Sequence, residues 1–204
     1  MKQLSIDHPE SISEALDLVK EGQVIAFPTD TVYGIGGSAF NSQAVDRLYQ
    51  IKQRDYSKAI PVLIGTASDL HKIVSRVPAG VEDLIQVFWP GALTLILPIK
   101  SNLPDNLSPG HTIGVRQPDL EFARRLLNET GPMAVSSANL SGQPSARTAQ
   151  EVKAQLNREV DLILDGGKTP GSTASTVLDC TGETWRILRQ GPVTLAEIQA
   201  AVGR

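Results

Sequence analysis

A single α/β domain spanning residues 1–204, built on a twisted sheet of mixed parallel and antiparallel strands flanked by helices, is the fold class the sequence predicts. Three observations predict it. Hydrophobic residues make up 41% of the chain and aromatics only 4%, so the core must rest on Val, Ile, Leu and Ala, as when aliphatic strands pack on helices. Short apolar runs and amphipathic helical stretches intermix along the whole length without strict βα alternation, which favours a mixed sheet. At 204 residues the chain fits one domain and can bury a core without disulfide or metal support.

Ser11 to Glu21 reads as a helix, with Ile12, Ala15, Leu16 and Val19 at helical spacing and Gly22 as its stop. Val24–Phe27 is a short buried strand ended by Pro28. Ser42 to Gln53 forms a second helix on Val45, Leu48, Tyr49 and Ile51, and Ile60–Ile64 another strand. Helical stretches follow near Ala67–Val74 and Gly80–Val87. Ala92–Pro98 and Thr112–Val115 are strands, Leu120–Asn128 a helix, and Met133–Val135 a buried strand that runs into a polar turn. Ala149–Leu156 is a helix with Thr148 as N-cap. Leu162–Leu164, Thr176–Leu178 and Trp185–Leu188 are late strands, and a helix from Leu195 to Val202 is capped by Thr194. Gly and Pro cluster at 90–91, 109–110, 131–132, 142–144, 166–171 and 191–192, read as loops around one site.

The net charge of −3 argues against a surface built as a whole for nucleic acid. Cys180 is the only cysteine, so no internal disulfide framework exists. A reducing, cytoplasmic location is expected, because no signal-peptide stretch and no membrane-length apolar run is present. His8, His71 and His111 have no metal-ligand spacing with one another or with Cys180. Gly167-Lys168-Thr169 imitates part of a P-loop, but Leu162 stands where the first glycine is required and Pro170 where a helix should begin.

Six stretches carry candidate chemistry. Phe27–Gly37 runs from a buried strand through Thr29-Asp30-Thr31 into a Gly-rich turn. Its hydroxyls suit an amino acid or a phosphate, and equally a tight turn with satisfied polar groups. Lys52 and Arg54, with Lys58 nearby, suit either a helix C-terminus or a triphosphate clamp. Arg116 ends the Thr112–Arg116 strand, placed for a surface acid or a bidentate carboxylate ligand. Ser136-Ser137-Ala138-Asn139-Leu140-Ser141 puts more donors and acceptors after a strand than a turn needs. Gly166–Thr176 is a Gly/Ser/Thr-rich loop before a strand, and Arg189 is a second strand-end arginine.

In their order, these stretches resemble the YrdC family. The shared pattern is Pro28-Thr29-Asp30-Thr31 with Tyr33-Gly34-Ile35-Gly36, Lys52-Gln53-Arg54, Trp89-Pro90-Gly91, Val115-Arg116, Ser137-Ala138-Asn139-Leu140-Ser141-Gly142, Ser175–Asp179 and Arg189-Gln190-Gly191. The likeness covers about residues 12–200 and implies a YrdC-like fold with a concave ligand cavity. It also implies synthesis of threonylcarbamoyl-AMP and pyrophosphate from ATP, L-threonine and bicarbonate, with Mg²⁺ arriving on the ATP. The product would serve tRNA position 37 through a downstream threonylcarbamoyl transferase complex. By the resemblance, Thr29, Arg116, Ser137 and Ser175 bind threonine. Lys52 and Arg54 are catalytic, binding phosphates and neutralising charge on the leaving pyrophosphate. Thr112, Asn139 and Arg189 contact the nucleotide, and Ser145–Thr148 adds a nucleotide contact in which Arg147 replaces a small hydroxyl residue.

Asp55, Ala59, Leu63 and Leu120 depart from residues common in the family, and the chain resembles its single-domain form. Two alternatives accompany the synthase reading. One is a paralogue of the same fold that binds RNA or serves ribosome maturation, with tRNA contact through Lys52, Arg54, Lys58, Arg116 and Arg189. The other is a carbamoyl-adenylate enzyme like the related domain of hydrogenase-maturation carbamoyltransferases, whose zinc-finger-like segments this chain lacks.

Overall fold

The computed structural model describes residues 2–156 and 159–203, so the expected domain bounds at Met1 and Arg204 lie outside the described residues. One ten-stranded sheet runs through the molecule in the order β1-β8-β2-β3-β7-β4-β6-β5-β9-β10. Its strands are β1 (Lys2–Ser5), β2 (Ile25–Phe27), β3 (Gly34–Ser38), β4 (Val62–Leu63), β5 (Leu93–Pro98), β6 (Thr112–Arg116), β7 (Met133–Ser137), β8 (Leu162–Asp165), β9 (Thr176–Asp179) and β10 (Arg186–Arg189). Pairing is parallel for β1/β8, β2/β8, β4/β6 and β5/β9, and antiparallel elsewhere, the mixed sheet predicted.

Helices cover both faces. They are α1 (Ser11–Lys20), α2 (Ser42–Lys52), α3 (Leu70–Ile73), α4 (Val81–Phe88), α5 (Glu121–Thr130), α6 (Ala149–Leu156) and α7 (Leu195–Ala201). The period-two alternation of the strands sorts their side chains between two cores. Ile25 and Phe27, Met133 and Val135, and Leu162 and Leu164 pack with Ala15 and Val19 of α1 and with Phe122, Leu126 and Leu127 of α5. The intervening Ala26, Ala134 and Ile163 face the larger core, which holds Val45 and Leu48 of α2, Leu84 of α4, Val152 of α6 and Ile198 of α7.

Local chemistry sets the helix ends. Gly22, at φ +78°, takes the left-handed turn that stops α1. Asn41 caps α2, its Oδ1 accepting from Gln43 N at 2.9 Å and Ala44 N at 3.2 Å. Thr194 opens α7 in a reciprocal capping box with Glu197, and the Thr148 hydroxyl accepts from Glu151 N at the start of α6.

Four stretches differ from expectation. No element was predicted before Ser11, yet Lys2–Ser5 pairs with β8 as an edge strand. The stretch expected as a Gly-rich turn is strand β3, hydrogen-bonded on both sides to β2 and β7. Its glycines serve close packing: a Cβ on Gly34 would lie 2.7 Å from Val135 Cγ1, and one on Gly36 2.8 Å from Ala134 O. The stretch expected as a helix over Ala67–Val74 is a 3₁₀ turn (Ala67–Asp69) leading into the short α3, and only Val62–Leu63 of the Ile60–Ile64 run makes ladder pairs.

Candidate functional site

Side chains from β4, β5, β6 and β7 and from the loops after β2 and before β9 enclose a hollow of about 130 Å³. Thr29, Arg54, Arg116, Ser137, Ser175 and Arg189, six of the residues singled out in the sequence, line it together. A second hollow of about 300 Å³ lies alongside, lined by Lys52, Asn139 and Lys58 among others. Arg54 and Ser137 belong to both.

The loop after β2 is tied by its own hydroxyls. Thr29 Oγ1 donates to Val32 O at 2.7 Å and lies 3.0 Å from Thr31 Oγ1. Thr31 Oγ1 in turn accepts from Arg116 Nη1 at 3.0 Å, Arg116 Nε donates to Gly91 O at 2.8 Å, and Nη2 is ion-paired to Asp30. Three of the five guanidinium N–H groups are thereby engaged, which leaves two for a ligand. Arg116 is 5% exposed. Burial lowers its pKa, and the Asp30 carboxylate opposes that shift.

Arg189 of β10 also lines the hollow, its Nε and Nη2 donating to Ser175 O at 3.0 and 2.9 Å, and Nη2 to Ser175 Oγ at 3.2 Å. Ser175 Oγ also meets Thr94 Oγ1 at 2.8 Å. Arg54 donates through Nε to Lys58 O and through Nη2 to Ala59 O. Burial lowers the pKa of both Arg54 and Arg189, and Arg54 lowers that of Arg189 further by repulsion. Among the described residues neither has a carboxylate within salt-bridge reach. The hollow therefore gathers three arginines against one carboxylate, and its unbalanced charge suits anionic ligands.

Lys52 is 2% exposed. Its ammonium donates to the carbonyls of Ser137 and, at 2.6 Å, of Asn139. Burial pushes its pKa down to about 8, with Arg54 acting in the same direction. The Asn139 amide nitrogen is held by Leu140 O and Gln143 O, both at 2.8 Å.

Thr112 is not brought to this group. It starts β6, four residues and roughly 13 Å along the strand from Arg116, pairs with Pro98, and lines neither hollow. Arg147 donates to Thr169 O at 3.4 Å and likewise lines neither. Among the departures from the family pattern, Leu63 lies in the first hollow's wall and Asp55 lines the second, while the carbonyl of Ala59 holds Arg54.

Sequence reading missed Asp30 as the partner of Arg116, along with Thr94 and the apolar wall of Val32, Pro61 and Val135. Asp30 sits between two threonines already singled out, so its signal was present. Thr94 is a lone hydroxyl in an apolar strand, a pattern equally suited to a buried, satisfied threonine.

A family model described as Sua5/YciO/YrdC, "Telomere recombination", matches residues 17–191. A relative from Mycobacterium tuberculosis is 42% identical over 193 residues, covering 94% of this chain and 89% of its own length. A Bacillus subtilis protein named threonylcarbamoyl-AMP synthase is 41% identical over 207 residues, covering 98% of this chain. The crystal structure of Pyrococcus abyssi Sua5 complexed with L-threonine superposes with a TM-score of 0.93 at 35% identity over 99% of this chain. This chain spans 59% of the Bacillus protein and 60% of the Pyrococcus chain.

Proposed function

The chain belongs to the Sua5/YciO/YrdC family, and from that premise we propose that it is a threonylcarbamoyl-AMP synthase acting as a nucleotidyltransferase on ATP, L-threonine and bicarbonate. The observation that carries the reading is the convergence of hydroxyls and three arginines on one hollow that shares Arg54 and Ser137 with a second.

Threonine occupies the first hollow. Its carboxylate, or the carbamate formed on its amine, lies against the two free N–H groups of Arg116, and Thr29, Ser137 and Ser175 surround its polar atoms. ATP enters by the second hollow, with Asn139 and Arg189 on the nucleotide. A carbamate oxygen then attacks the α-phosphorus, and the bond to the pyrophosphate oxygen breaks. Arg54 stands where the two hollows join and stabilises the charge that grows on the leaving group, the point at which positioned cations contribute most. Thr112 is left out of this contact set because it lines neither hollow. Mg²⁺ arriving on the ATP would neutralise phosphate charge; of the carboxylates beside the hollows, Asp30 is paired to Arg116 and Asp55, which lines the second hollow, is the one that would face it. The downstream transferase would take the product to tRNA.

Direct RNA binding by the same cations gains no support from their placement. Of the five, Lys52 and Arg116 are 2% and 5% exposed, out of reach of a polynucleotide backbone, and Arg54 is half-buried, which leaves only Lys58 and Arg189 exposed, short of a basic surface patch. Among the described residues no helix is long and apolar enough to cross a membrane.

Pyrophosphate release from ATP, followed with and without L-threonine and bicarbonate, tests the proposal. Release that needs both, and that Arg54→Ala abolishes, supports it. Release independent of threonine, or none at all from protein that binds ATP, overturns it.

A further inference from the structure

Lys52 has the sequence position of a phosphate ligand but the surroundings of a structural tie. Its ammonium donates to Ser137 O and Asn139 O, and its own carbonyl accepts from Ser141 N at 3.1 Å. The last residue of α2 thus holds the segment after β7 by three hydrogen bonds. An ammonium has three N–H donors, and two are spent on main-chain carbonyls. Arg54, two residues on, is placed differently because Gln53 between them takes the left-handed conformation at φ 48°. Lys52, still on α2, borders only the second hollow, whereas Arg54, beyond the turn, lines both.

The segment needs such a tie. It leaves the sheet at Ser137, keeps one main-chain bond to the neighbouring loop, Ala138 N to Tyr33 O at 2.8 Å, and from Asn139 continues on short local bonds, Asn139 N to Ser137 O and Gln143 N to Leu140 O. A buried carbonyl stripped of its charged donor is costly, so without Lys52 the turn at Asn139 would rearrange. The same turn fixes where Ser137 meets the first hollow and where Asn139 borders the second.

We infer that Lys52 is a positioning residue, whose ammonium holds the Ser137–Ser141 segment in its binding conformation and acts on both substrates through that segment instead of ligating phosphate. What the segment binds rests on the proposed function; the tie itself does not.

The experiment separates the two. Amide hydrogen exchange of the substrate-free full chain is compared for wild type, Lys52→Met and Lys52→Gln, alongside affinities for ATP, tripolyphosphate and L-threonine. Glutamine removes the charge but keeps an N–H donor for a carbonyl, whereas methionine removes both. Exchange in the peptide covering 137–143 should rise about tenfold or more in Lys52→Met, since losing even one of its two charged hydrogen bonds is worth that much, with the β2 and β5 peptides unchanged. Threonine and ATP affinity should fall together, and Lys52→Gln should recover part of both the protection and the affinities. Unchanged exchange at 137–143, with tripolyphosphate affinity reduced equally in both variants and threonine affinity intact, overturns the inference. Should Lys52→Met fail to fold, the ratio of threonine to tripolyphosphate loss in Lys52→Gln decides: comparable losses support the tie, and a loss confined to tripolyphosphate refutes it. Wild type that makes no threonine-dependent pyrophosphate would sink the proposed function while the exchange result still stands.

Discussion

Asp30 is ion-paired to Arg116, which lines the first hollow and has three of its five N–H groups engaged. A buried guanidinium without a counter-charge is costly, and removing one partner of a buried pair typically costs about 3–5 kcal/mol. Asp30 also fixes the plane of the fork, because Nη2 is bound to it while Nη1 and Nε are bound to Thr31 and Gly91. Asp30→Ala should therefore lower the unfolding free energy in urea by about 3 kcal/mol and weaken L-threonine binding. Wild-type stability in that variant would show that Arg116 is not held as described.

The first hollow sets Leu63 and Val135 beside its polar groups, an arrangement that can discriminate the methyl group of threonine from serine. A pocket contact with one methyl group is worth about 1–3 kcal/mol. Leu63→Ala should reduce the threonine-over-serine ratio of kcat/KM by about tenfold, chiefly by weakening threonine, with stability measured in parallel because the side chain is buried. An unchanged ratio would place the methyl group elsewhere.

Much of the fold and most of the site were legible in the sequence because each rested on local chemistry. Apolar periodicity located α1, α2 and α5, Gly22 marked the end of α1, Thr148 and Thr194 marked the starts of α6 and α7, and strand-end arginines pointed to Arg116 and Arg189. The rest depended on strand pairing or on backbone conformation. Gly34-Ile35-Gly36-Gly37 has the composition of a turn, and only its position between β2 and β7 makes it a strand. Thr112 sits in the same motif as Arg116, but an extended strand carries it to the other end of β6. Lys52 and Arg54 look equivalent in sequence, and the left-handed Gln53 between them is what separates their surroundings.

The glycines of β3 make a coupled prediction. A Cβ at Gly34 would meet Val135 Cγ1 at 2.7 Å and nothing else within 3.4 Å, whereas one at Gly36 would meet both Val135 Cγ2 at 2.7 Å and Ala134 O at 2.8 Å. Each Gly→Ala change should destabilise by about 1–3 kcal/mol through overpacking. Adding Val135→Ala should rescue Gly34→Ala and leave Gly36→Ala largely unrescued, because a backbone carbonyl cannot be trimmed. A double-mutant cycle in urea measures this, and equal rescue at both positions would contradict the packing.

Lys52 makes stability depend on pH in a direction that can be worked out. Its pKa is about 8 in the folded chain against an ordinary value of 10.5. Between those values the unfolded chain holds a proton that the folded chain has released, so this residue makes stability rise with pH across that window. Cys180 and Tyr33 act oppositely: burial pushes each up to about 12, from 9.0 and 10.0, so their contributions fall above those ordinary values. Tyr49 and Tyr56 are raised as well, so a raw stability curve would mix several groups. Lys52→Met removes only the first, and the cysteine and tyrosine contributions cancel when the variant is subtracted from wild type. The wild-type minus variant difference in urea unfolding free energy should therefore be flat below about pH 7, climb from about pH 8, and level off above about pH 10.5. A difference that falls over that range would mean that the folded chain binds the Lys52 proton more tightly than the unfolded one, and that the two carbonyls outweigh burial at this site.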